Sequence, residues 1–347
     1  MKALYYEKPL RENASIREMP DPVCGSHDIV IRVMSCSICH GVEADHEAPG
    51  GSSCSGYPLI PGHEFAGYVH EVGDAVTTFR VGDRVTADNT VPCGVCHYCK
   101  KGDFIHCPDK RNLGNKANGG FAEYVKVAEG KAVRLPDHVS FNEGCLSEPV
   151  ACCMHSMDQM NIRYGDDVLV MGAGPMGMIL AMLASHSSAN HVVVCASSAA
   201  KLEKVKALGI ETVLMDRGDY SKHEKELLSR YPLGFDCLFD ATGAEELVYS
   251  TPRLMKMGGR ILGYGYRGEH PTLRFPFNEF WDRELTYYSS LSQVGDFGRA
   301  VDAIASGKVN AKALISGEYD LDHYFDGLDR VMHEKDVIKI IIHPNAE

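Results

Sequence analysis

Cys93, Cys96, Cys99 and Cys107 stand at the spacing C-x2-C-x2-C-x7-C in the polar stretch VPCGVCHYCKKGDFIHCPDK. Four thiolates so close together can wrap one tetrahedral Zn2+ at roughly 2.3 Å, and a shell closed by four sulfurs leaves no position open to a substrate. The spacing therefore predicts a structural zinc. An iron–sulfur cluster takes the same ligands, and unliganded core thiols are the bland alternative, but so polar a loop cannot bury all four as apolar side chains. His97 and His106, inside this lobe, read as surface residues.

A second candidate lies upstream, in PLIPGHEFAGYVHEVGDAV, where Gly62, His63 and Glu64 set an imidazole beside a carboxylate. Alone, that pair is a weak signal. A third is Gly172-Ala173-Gly174-Pro175-Met176-Gly177, a G-x-G-x-x-G run that follows an apolar strand and opens an apolar helix. Its glycines permit a tight turn, close approach of backbone to a pyrophosphate and helix–strand packing, while the helix amino terminus attracts phosphate.

These groups need elements to hold them. From Met1 to about Pro149 the chain shows short β-rich runs punctuated by glycine, at Asp28 to Met34, Phe65 to Val72 and Phe121 to Val127, which suits a barrel-like β domain. Near Asp166 the texture becomes strand (Asp167 to Met171), glycine turn, helix, strand (His191 to Cys195), the rhythm of a doubly wound parallel sheet. It continues through Thr212 to Met215, Phe235 to Phe239 and Gly259 to Tyr264, and the mixed tail after Ser290 ends in a strand, Val337 to His343. The predicted class is α/β, with a catalytic β unit over 1–153 that carries the cysteine lobe, a dinucleotide unit over 154–290 and a return to the first unit over 291–347. A chain of 347 residues also exceeds what one core usually fills.

Composition narrows the partners. With 44% hydrophobic and 24% charged residues the chain reads as globular. No signal-like segment opens it and no apolar run reaches the roughly 20 residues of a membrane span, so a cytoplasmic protein is expected. A formal charge of −12 would repel nucleic acid and anionic membranes, leaving a small molecule as partner. The 13 cysteines are odd in number, which favours reduced thiols and thiolate–metal bonds over disulfides. Cys24, Cys54, Cys145, Cys195 and Cys237 read as small apolar residues.

The segment GHE-x2-G-x5-G, followed by VGDRV, the cysteine lobe and the glycine turn, resembles the zinc-containing medium-chain alcohol dehydrogenase family, in that family's order along essentially the whole chain. The resemblance implies a GroES-like catalytic β-barrel domain joined to a Rossmann cofactor domain. It also implies a catalytic zinc held by a cysteine ahead of GHE, by the histidine of GHE and by a residue just before the cofactor domain. Carried over, these are Cys39, preferred by position over Cys36, then His63 and Glu148. Leu146-Ser147-Glu148-Pro149 is similar to the sorbitol, polyol and aldose branch, where simple alcohol dehydrogenases present cysteine. A carboxylate makes a harder site, with Glu64 either binding directly or acting from behind and exchanging with water. The alternative leaves Glu148 as a surface carboxylate and takes a thiolate from Cys152 or Cys153. One departure stands out: the family's Cys-(Gly/His)-(Ser/Thr)-Asp reads Cys39-His40-Gly41-Val42-Glu43 here, without the hydroxyl that relays the proton. His40, Glu43, Asp45 or His46 could stand in for it.

The second strand of the cofactor fold usually ends in an acid that binds the adenosine ribose of NAD. Here it runs Val194-Cys195-Ala196-Ser197-Ser198. Without a carboxylate at Ala196 a 2′-phosphate is not repelled, Ser197 and Ser198 can donate to it and Lys201 is within reach, so NADP is favoured over NAD. Alternatively, the serines only start a helix and NAD binds without its acid. Asp240-Ala241-Thr242-Gly243 and Gly263-Tyr264-Gly265 resemble the loops that line the adenosine and nicotinamide ends.

The implied function is hydride transfer between a secondary alcohol of a polyol, cyclitol or sugar and NAD(P), by Lewis-acid catalysis. Two zinc ions per chain and a homodimer or homotetramer are expected by resemblance. The loop from His40 to Gly56, with Glu43, Asp45, His46, Glu47, Ser52 and Ser53, offers partners for hydroxyls. The competing readings are a simple secondary-alcohol dehydrogenase or ketone reductase, a non-catalytic cofactor-binding relative and a nucleic-acid-binding zinc protein.

Overall fold

Strand-forming runs build two large sheets, one mostly antiparallel and one parallel, and a third of two strands. The computed structural model describes residues 1–47, 56–265, 274–293, 295 and 297–346. Its two compact units are Met1–Ala151 with Gln293–Glu347, and Cys152–Ser292.

In the first unit a seven-stranded sheet runs in the order Ile315–Asp320, Lys339–His343, Asp28–Ser37, Glu64–Val72, Arg84–Ala87, Ala132–Arg134, with Tyr124–Ala128 paired to Asp28–Ser37. A two-stranded sheet of Lys2–Tyr6 and Ala14–Glu18 accompanies it. The strand Asp28–Ser37 is flanked on both edges and is therefore almost wholly buried, with Ile29, Ile31 and Val33 in one core cluster with Phe65, Val69, Phe121, Ile340 and Ile342. The strand expected from Phe121 begins only at Tyr124. Phe121 follows the Gly119-Gly120 turn and its backbone is used singly: its N–H donates to Pro61 O (3.0 Å) and its carbonyl accepts from Leu4 N (2.9 Å).

The second unit holds a six-stranded parallel sheet in the order Glu211–Leu214, His191–Ala196, Asp167–Met171, Phe235–Asp240, Met255–Gly263, Thr286–Ser289. Helices cover parallel sheets on both faces, so the strands read as unbroken apolar runs instead of alternating ones, as in Val168-Leu169-Val170-Met171, all buried. The crossover helix Pro175–Ser185 buries Met178, Ile179, Leu180 and Ala181.

Candidate active site

Three adjacent strands of the first sheet build the candidate metal site by their register. Asp28–Ser37 runs into Ile38 and Cys39, Glu64 pairs with Ser37 on one side, and Ile341 pairs with Ser37 on the other. His63 thus enters just before its strand, beside Cys39. Gly62 makes that entry possible, since its φ of +95° suits only glycine, and a Cβ would lie 2.8 Å from Phe121 N and 2.9 Å from Cys36 Sγ. Ligand atoms of Cys39, His63 and Glu64 all fall within 4.8 Å of one another.

Around that triplet the structure is buried and charged. Glu43 sits one helical turn after Cys39 in the short helix His40–Glu43 and is fully buried. Its Oε2 accepts the Cys39 N–H (2.6 Å), and its Oε1 faces His63 Nδ1 at 3.5 Å. Oε1 and Nδ1 are both buried without a hydrogen bond. Burial works against a charged His63, yet Glu43 and Cys39 hold its imidazole well above the ordinary range. With Nδ1 turned to a carboxylate, Nε2 is the nitrogen presented to the triplet, which is the arrangement that orients a metal-bound imidazole.

Lys339, which the sequence reading missed, opens the strand Lys339–His343 and donates to both oxygens of Glu64 at 2.6 Å, with a further bond to Ile38 O (3.3 Å). Lys339 is 3% exposed and Glu64 1%. Burial alone would lower the lysine, but Glu64, with Cys39 and Glu148 nearby, raises it. The signal was a lysine inside the apolar run VIKIIIH, where an uncompensated charge would be too costly to bury.

Glu148 is buried in the first turn of the helix Ser147–Met160, where the helix dipole favours an anion, but it stays outside the triplet. Cys152 and Cys153 open the second unit, where Cys153 Sγ donates to Met176 O (3.6 Å). Of the relay candidates, His40 is exposed, Asp45 is half-buried, and His46 is buried with Nδ1 2.6 Å from Tyr57 Oη, burial pushing it below the ordinary histidine range. Ser52, Ser53 and Cys54 lie outside the described residues.

In the lobe, the sulfurs of Cys93, Cys96, Cys99 and Cys107 lie within 4.8 Å of one another. Cys93 to Cys99 is 3.9 Å and Cys96 to Cys99 is 3.5 Å, close to the ~3.8 Å edge of a tetrahedron with ~2.3 Å bonds. Backbone N–H groups of Val95 and Cys96 bring Cys93 down to about 7, toward the thiolate a metal needs. His106 is instead engaged with Asp103 Oδ1 (2.7 Å), and the His97 ring packs edge-on to Tyr98.

In the second unit the glycine turn joins Asp167–Met171 to Pro175–Ser185. Gly172 has φ +109°, Gly174 caps the helix with Pro175 following, and a Cβ on Gly177 would strike Gly172 O at 2.1 Å. A Cβ on Gly174 would meet nothing within 4 Å, so backbone there stands open to a ligand. Asp240 Oδ1 accepts from Thr242 N (3.0 Å), Thr242 Oγ1 (2.6 Å) and Gly243 N (3.3 Å), and its carbonyl accepts from Tyr264 N and Gly265 N (both 2.9 Å), which fixes the loops after two neighbouring strands. Ala196 ends its strand 5% exposed. Ser198 is the cap of helix Ala199–Ala207, its hydroxyl accepting the Lys201 N–H.

The alcohol dehydrogenase GroES-like domain family matches residues 25–137, and the zinc-binding dehydrogenase family matches residues 175–306. The chain is 31% identical to D-arabinitol dehydrogenase 1 of Uromyces fabae, over 99% of this chain and 97% of that one. It is 30% identical to sorbitol dehydrogenase of Halalkalibacterium halodurans, over 99% of each. Among solved structures it is similar to an NADP-bound protein of Sinorhizobium meliloti 1021 named as a zinc-binding dehydrogenase, with a TM-score of 0.90, 28% identity and 99% of each chain covered.

Proposed function

The chain belongs to the zinc-containing medium-chain alcohol dehydrogenase family, and from that premise we propose that it transfers a hydride between a secondary alcohol of a polyol, cyclitol or sugar and NAD(P). The observation that carries the substrate class is that Glu148 is buried, at the position where the resemblance implies a thiolate in simple alcohol dehydrogenases. Relatives named for arabinitol and sorbitol support it.

The metal ligands we propose are Cys39, His63 and Glu148. Glu64 is the poorer third ligand, since Lys339 occupies both of its oxygens. Zn2+ at this site supplies Lewis acidity toward the alcohol oxygen. Glu43 keeps the His63 ring turned so that Nε2 faces the metal ligands. His40, exposed beside Cys39, is the group we assign to carry the alcohol proton to water. Cys93, Cys96, Cys99 and Cys107 hold a second, structural zinc. Gly172, Gly174, Pro175, Met176 and Gly177 receive the pyrophosphate, with Thr242, Gly243, Gly263, Tyr264 and Gly265 lining the rest of the cofactor. NADP is preferred over NAD because Ala196 offers no carboxylate to a 2′-phosphate.

Among the described residues no helix is long and apolar enough to cross a membrane. None of the twelve described cysteines forms a disulfide, which supports a reducing compartment, the cytoplasm. We also propose a homodimer or homotetramer.

The test of the substrate class is a panel of polyols, aldoses and cyclitols against ethanol and propan-2-ol. A site built to hydrogen-bond hydroxyls rejects substrates that lack them, so kcat/KM for the best polyol should exceed that for the simple alcohols by at least about a hundredfold. Comparable efficiencies would move the chain to the simple alcohol dehydrogenases.

A further inference from the structure

We infer that Arg217 is the cation that selects the 2′-phosphate of NADP, an inference that rests on the NADP preference proposed above. Arg217 lies in the loop after the strand Glu211–Leu214. In the parallel register Leu214 pairs with Ala196, and Met215 N donates to Ala196 O (2.9 Å). The backbone from 215 to 217 therefore runs alongside Ala196, Ser197 and Ser198. Arg217 Nε donates to Ser197 Oγ at 2.9 Å.

In a dinucleotide fold the end of this second strand is where the adenosine ribose lies, and a nearby arginine accepts a 2′-phosphate when the ribose-binding acid is missing. Arg217 has the properties that role requires. It is exposed, and among the described residues it pairs with no carboxylate, its side-chain bond being the one to Ser197. The rest of its guanidinium fork is left for a phosphate, which a planar fork binds through more than one N–H. The tie to Ser197 orients the side chain before the ligand arrives, so less rotamer freedom is lost on binding.

The adjacent acid does not cancel this charge. Asp216 Oδ2 takes a hydrogen bond from Lys222 Nζ (2.6 Å) and Oδ1 one from Gly218 N (2.8 Å), and these partners hold the carboxyl below its ordinary range. Ser198 is spent on starting its helix, which leaves Arg217 and Lys201 as the basic residues at this strand end. Arg217 escaped the sequence reading because it is 20 residues from the serine it touches.

The experiment is equilibrium binding of NADP and of NAD to zinc-loaded wild type, Arg217→Ala, Arg217→Lys and Ser197→Ala, with circular dichroism to verify folding. A charge-assisted bond of typical strength implies that the ratio of NADP to NAD affinity falls at least about 10-fold in Arg217→Ala. Arg217→Lys should recover part of that ratio, and Ser197→Ala should lower it less. A wild type that prefers NADP combined with an unchanged ratio in Arg217→Ala overturns the assignment to Arg217 and leaves the nucleotide reading standing. A wild type that binds NAD more tightly overturns both.

Discussion

Lys339 and Glu64 show how one residue pair constrains the chemistry of the candidate site. Both are buried, and the lysine meets both carboxylate oxygens, so each charge is tolerated only because of the other. Removing one partner leaves an uncompensated buried charge. Lys339→Met should therefore destabilise the protein by about 3–5 kcal/mol in urea unfolding. The double variant Lys339→Met with Glu64→Gln should recover a good part of that loss. Losses in Lys339→Met and Glu64→Gln that simply add in the double variant would mean that the pair is not coupled. Zinc content is a separate readout at this scale: His63→Ala should lose one metal ion while the cysteine lobe keeps its own.

Elements decide which of these residues the sequence could announce. The cysteine lobe and the glycine turn are each contained in one short stretch, so spacing alone exposes their chemistry, and the Val-rich strands of the parallel sheet are legible because both faces are buried. Long-range pairings are not legible that way. Lys339 meets Glu64 only because their strands flank Asp28–Ser37. Glu43 is ambiguous in sequence, since whether its carboxylate points out as a relay or in toward His63 depends on which side of a four-residue helix is buried. The strand expected from Phe121 failed for a related reason, because that backbone is committed to Pro61 and Leu4. The lobe also yields a prediction of its own. Wild type should carry about two zinc ions per chain. Cys93→Ser should carry about one and lose stability well beyond the ~0.5 kcal/mol of a surface change, because metal-binding energy is folding energy. Metal analysis with a denaturation curve checks both, and an unaltered zinc count would remove the lobe from the metal inventory.

At the scale of the molecule, Thr286–Ser289 ends the order of the parallel sheet, and the helix Phe277–Asp282 just before it exposes Phe277 (62%) and Trp281 (72%). A strand edge that no further strand covers among the described residues, beside large apolar side chains, favours association with a second copy. Light scattering should therefore return a multiple of 38.1 kDa, and Trp281→Glu should shift the distribution toward the single chain. A wild type that runs at 38.1 kDa would remove the proposed oligomer. Chain order adds a consequence of another kind. Residues 1–151 leave a ribosome first, yet the strands Ile315–Asp320 and Lys339–His343 of the same sheet are made after the whole second unit. At about 5–20 residues per second the 275 residues from Glu64 to Lys339 take on the order of tens of seconds to synthesise. Throughout that interval Cys36 and Ser37 lack the strand Lys339–His343 that they pair with, while Tyr124–Ala128 can already pair with Asp28 to Arg32. Until Lys339 is made, Glu64 lacks the counter-ion that it has in the folded protein.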